Sequence, residues 1–195
     1  MPSGLKFAEM ESLIELCDLI AEKPEQFADK LVWICGRCPS AESLLTGSPR
    51  VSRSQLNAVL AVARFLSKCP NYDDQRPKSL LLAFYRAIPS SFTPSFWPQS
   101  FGNDAIASFF NDYFACMCRA AESASDFATD IAGFTGEIVI SATGNVSGDL
   151  GISRVFLNAL ALNFPPILSS DANRLVSCLL ERLEIMVPNS PRELI

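Results

Sequence analysis

Cys35-Gly36-Arg37-Cys38 has the spacing of a redox pair or of half a zinc site, so chemistry is sought there first. A redox pair needs one exposed sulfur with a depressed pKa, and Arg37 is the only cation close by in sequence. A structural zinc site needs a second pair, but Cys116-Met117-Cys118 has the wrong spacing and lies inside an apolar helical pattern. All four are read as structural thiols. The chain has no histidine, which removes Ser-His-Asp and Cys-His nucleophilic systems along with the commonest imidazole metal ligand. Gly133-x-x-Gly136 and Gly144-x-x-x-Gly148 lack the Lys-Ser/Thr and the preceding strand of a phosphate loop. Asp73-Asp74 falls in a polar loop, and Glu181 and Glu184 fall on the outward face of the last helix, so neither acid pair is expected in a cleft. Ser48-Pro49-Arg50 followed by Ser52 is a conceivable phosphorylation target, but Ser52 is already accounted for by helix capping. No catalytic, cofactor-binding or metal-ligating residue is assigned.

Composition narrows the function classes further. Hydrophobic residues make up 49% of the 195 and charged residues 19%, the balance of a folded chain. The net charge of −5, with 16 Lys and Arg scattered among 21 acids, argues against a nucleic-acid partner. The cysteines Cys17, Cys35, Cys38, Cys69, Cys116, Cys118 and Cys178 are odd in number and mostly in apolar helical context. No basic segment followed by an apolar one opens the chain, so these are expected to be reduced, buried thiols of a cytoplasmic protein. Every apolar run is interrupted before the ~18 residues of a membrane helix, so no direct membrane insertion is expected.

The elements that must position these residues are helices. The stretch from Val51 to Leu66 states its start most clearly: Ser52 as N-cap with Gln55 as its capping-box partner, and Val51 and Leu56 as a hydrophobic staple. Leu56, Val59, Leu60, Ala63, Phe65 and Leu66 make its apolar surface wider than one stripe, which calls for neighbours on more than one side. The expected neighbours are the preceding and following helices. The preceding one starts at Pro24, carries Phe27, Leu31, Ile34 and Cys35, and is capped by Gly36 and kept ended by Pro39. The following one starts at Pro77, carries Leu80, Leu81, Phe84, Tyr85 and Ile88, and is closed by Pro89.

Further helices are read from Phe7 to Ala21, from an Asn103 cap through Met117, from Ser125 through Ile138, from Gly151 to Leu162 and from Asp171 to Val187, with a short helical or turn segment from Ala41 to Thr46. The Ser125 helix follows from the steps Phe127, Ile131, Phe134 and Ile138, despite Gly133 and Gly136. Glu137 to Ser141 alone has strand character, but nothing else in the chain would pair with it. Ser90 to Gly102 holds Phe92, Phe96, Trp97 and Phe101 among prolines and serines, and is expected to be an ordered, packed connection. Residues 143–149 are expected to be a flexible loop. Ser52-Arg53-x-x-Leu56-Asn57-Ala58 recurs as Ser153-Arg154-x-x-Leu157-Asn158-Ala159, either by coincidence of helix-forming residues or as a repeated unit.

Trp33-Ile34-Cys35-Gly36-Arg37-Cys38-Pro39 and Ser48-Pro49-Arg50-Val51-Ser52-Arg53-Ser54, continuing through Leu56 to Arg64, resemble the extreme N-terminus of the plant phosphatidylinositol 4-kinase alpha family. Ala87-Ile88-Pro89, Ser95-Phe96-Trp97-Pro98, Phe134-Thr135-Gly136-Glu137 and Asn163-Phe164-Pro165 extend the resemblance in the same order, so that it covers Met10 to Val187. The resemblance implies a type III lipid kinase that uses ATP and magnesium to phosphorylate the 4-hydroxyl of phosphatidylinositol. It also implies a right-handed α-solenoid, armadillo-like N-terminal region made of short helices with Pro-containing turns. Implied partners are a tetratricopeptide-repeat subunit, a hyccin-like subunit and a membrane-anchoring subunit, at the plasma membrane periphery. The sequence ends at Ile195 without the family's phosphate-binding or catalytic motifs, so the expectation is one all-α region over 1–195 with no kinase domain and no cofactor of its own. Its role is then that of a scaffold segment. The alternative is a free-standing truncated adaptor that binds the kinase's partners. A last helix without a neighbour would leave Leu179, Leu183 or Met186 partly exposed.

Overall fold

Ser52 lies in extended backbone (φ −75°, ψ 156°), its hydroxyl accepts the Gln55 amide at 3.2 Å, and Gln55 Oε1 accepts the Ser52 amide at 2.9 Å. Two of the amides a helix leaves unpaired at its start are thereby satisfied reciprocally. This capping box opens helix α4, Arg53–Lys68, in a computed structural model that describes residues 4–45, 50–92, 94–144 and 150–163. Val51 and Leu56, the expected staple, are both buried. The other helices are α1 (Gly4–Glu22), α2 (Ala28–Cys35), α3 (Ala41–Leu45), α5 (Arg76–Arg86), α6 (Asn103–Glu122), α7 (Ser125–Gly144) and α8 (Leu150–Asn163). The described residues form no strand, so the chain is all-α, and the segment from Glu137 to Ser141 is helical within α7.

Helices alternate between two rows. α1, α4, α6 and α8 form one row, each packed on the next, while α2, α5 and α7 form a second row against it. The succession α1/α2, α4/α5, α6/α7 is therefore a stack of helix pairs, with α8 extending the first row. The principal neighbours of α4 are α6 and α1; α5 and α2 contribute less. The expected neighbours, the helices on either side in sequence, do pack on α4, but α1 and α6 cover more of it. Length is the reason: α2 has 8 residues and α5 has 11, against 19 for α1 and 20 for α6, so the short helices offer only two or three turns of surface. The wide apolar face of α4 is used as its width demanded, with Leu56, Val59, Val62, Phe65 and Leu66 all buried.

Several boundaries differ from the sequence reading for local reasons. Pro24 lies in a turn, where the Phe27 amide donates to its carbonyl at 3.3 Å, and α2 begins only at Ala28 with Phe27 in the cap position. Gly36 does cap α2, but in right-handed backbone (φ −66°), so its conformational freedom is not required. The start of α6 is capped by Gly102, in extended backbone and without a side-chain bond, and Asn103 is already helical. Thr143 and Gly144, assigned to a loop, are the last residues of α7, and the rest of that loop is outside the described residues. The expected helix from Asp171 to Val187, with Leu179, Leu183 and Met186, also lies outside them.

The proline-rich connection between α5 and α6 is ordered as two short 3-10 turns, Ile88–Phe92 and Pro94–Phe96. Trp97 is 2% exposed; its indole N–H donates to the Ser91 carbonyl at 2.6 Å, and its ring meets Phe109 and Phe110 edge-on at 5.6 and 5.4 Å. Phe110 and Phe114 in turn meet Phe156 of α8 at 5.4 and 5.5 Å, and Phe84 of α5 meets Phe109 at 5.8 Å. One aromatic network thus joins α5, the connection, α6 and α8, with rings at the edge-to-face separations their quadrupoles favour.

Ser153, the counterpart of Ser52 in the repeated heptapeptide, does not cap. It is the fourth residue of α8, buried, with its Oγ unpartnered among the described residues. Asn57 is buried whereas Asn158 is exposed. The two copies stand in different helical registers, so the echo is not a structural repeat.

Candidate functional site

The Cys35–Cys38 segment closes α2 in a turn, with the Cys38 amide donating to the Cys35 carbonyl at 3.2 Å. Cys38 Sγ donates to the Ile34 carbonyl at 3.8 Å. Burial pushes the Cys35 thiol up to about 11, with Asp74 adding to the effect and Arg76 opposing it. Burial also raises Cys38 well above the ordinary thiol range, and pushes Cys17 up to about 12. Arg37, the candidate activator close by in sequence, lies 4.5 Å over the ring of Trp33. These thiols stay protonated at neutral pH, the opposite of what a redox nucleophile requires. Cys116 and Cys118 are buried in α6 and likewise raised by burial.

The other candidates separate in the same way. Asp73 is exposed, but Asp74 is not the solvated acid expected: its carboxylate accepts the Arg76 amide at 2.9 Å and binds the guanidinium through Nε at 2.7 Å, fixing the entry to α5. Gly133 and Gly136 lie inside α7, and Glu181 and Glu184 lie outside the described residues. Among the described residues no three His, Cys, Asp or Glu side chains are placed to hold a metal ion. No helix among them is long and apolar enough to cross a membrane.

What stands out instead is the position of exposed apolar side chains. Among the side chains whose exposure is described, Leu19 on α1, Val32 and Trp33 on α2, and Leu162 on α8 are the large exposed ones, so they fall on the first helix pair and on the last described helix, and none of those described falls on α4 to α7. Trp33 is 50% exposed. It lies off the inward stripe of Phe27, Leu31 and Ile34, a phase difference that the sequence already carries and that could have marked it as outward-facing. Beside Val32, a cavity of about 230 Å³ between α2 and α5 is lined by Leu31, Cys35, Asp74, Arg76 and Pro77. That is less than the roughly 300 Å³ at which small-molecule sites begin, and it suits a single inserted side chain.

Comparison with known proteins adds the family. The chain is 51% identical over 189 residues to "Phosphatidylinositol 4-kinase alpha 1" of Arabidopsis thaliana, a match that takes in 94% of the chain. It is 46% identical over 113 residues to "Phosphatidylinositol 4-kinase alpha 2" of the same plant, over 56% of the chain. The chain is thus similar to plant phosphatidylinositol 4-kinase alpha. It spans 9% of the length of the first relative and 22% of the second. No family model matches, and no solved structure does.

Trp33, Cys35, Arg37 and the Ser52 cap all lie in the runs that carry the resemblance to phosphatidylinositol 4-kinase alpha. In this fold they serve as surface, core and helix cap.

Proposed function

We propose that this chain is a non-catalytic helical scaffold segment of the N-terminal region of a plant phosphatidylinositol 4-kinase. The observation that carries this reading is a match at 51% identity over 94% of the chain to a protein of which it spans only 9%. A stack of helix pairs fits such a role, because each pair buries its inner face on the next and leaves the outer faces for other proteins. The whole kinase would use ATP and magnesium to phosphorylate phosphatidylinositol at the 4-position. The described residues offer no donor set for such a metal, so no step of that chemistry is placed on them. In this reading the segment works at the plasma membrane periphery, with the tetratricopeptide-repeat, hyccin-like and membrane-anchoring subunits as its partners.

The purified chain is expected to show no phosphatidylinositol-dependent ATP turnover and to co-purify with the tetratricopeptide-repeat subunit or with the remainder of the kinase. Turnover by the chain alone would overturn the reading. The exposed Trp33 face also suits the second reading, a free-standing adaptor. The two part on transcript sequence: a reading frame that continues into a kinase domain supports the segment, and a stop codon after Ile195 supports the adaptor.

A further inference from the structure

We draw no further inference here: the strongest candidate, the exposed apolar surface around Leu162 at the end of α8, is an uncovered face of the last described helix, and nothing in the structure shows what covers it.

Discussion

The Val51 amide donates to the Phe96 carbonyl at 2.9 Å, tying the residue before the α4 cap to the aromatic connection between α5 and α6. The start of the central helix and the seat of Trp97 are thereby fixed to each other. Ser52→Ala is expected to cost about 1 kcal/mol, and Ser52→Ala combined with Gln55→Ala less than the sum of the two, because each residue holds the other's amide. Urea denaturation of the two single variants and the double variant measures this.

Tyr85 and Thr135 form a buried pair at 2.8 Å, and Thr135 also donates to the Ile131 carbonyl at 2.8 Å. A threonine hydroxyl has one proton, so Tyr85 is the donor to Thr135. Tyr85→Phe removes that donor and should cost about 0.5–1.5 kcal/mol, whereas Thr135→Val leaves the Tyr85 hydroxyl buried without an acceptor and should cost about 1–3 kcal/mol. The order of the two midpoints in urea is the readout.

A Cβ built at Gly133 or Gly136 meets nothing within 4 Å, and both residues lie within α7. No close approach there requires glycine. Gly133→Ala and Gly136→Ala are each expected to stabilise the fold by about 0.5–1 kcal/mol, read as a higher melting temperature.

Alkaline pH should destabilise the chain through its buried thiols. Burial pushes Cys17 up to about 12 and Cys35 up to about 11, against 9.0 for a free thiol. Because the folded values are raised, the folded state keeps protons that the unfolded state releases. This contribution is therefore fully present below pH 9 and is lost as pH rises toward 11–12. Stability followed from pH 8 to 11 should decline, and Cys17→Ala should flatten the slope whatever it does to stability at neutral pH.

Much of the secondary structure was legible because its signals are local. The Ser52–Gln55 box and the Ile131–Ile138 stripe depend on residues three or four apart, and both are realised. The same local logic misplaced the start of α2 at Pro24 and the cap of α6 at Asn103. Proline at N1 and asparagine at N-cap are preferences, and the tertiary structure overrode both. Asp74 was read as a solvated acid because its partner, Arg76, reaches it only once the turn into α5 has formed.

Trp33 and Trp97 mark the division between sequence and structure. Sequence by itself determined that this chain is helical, where its capping box stands, that imidazole chemistry is absent, and which family it resembles, since all of these rest on residue identity and short-range spacing. The helical phase of Trp33 and the aromatic density around Trp97 were hints of outward and packed positions. Only the tertiary structure decided how far each is covered, 50% exposed against 2%, and that α4 rests mainly on α1 and α6. Burial is settled by which surfaces meet across the stack, and those surfaces are joined by apolar contact between residues far apart in the chain.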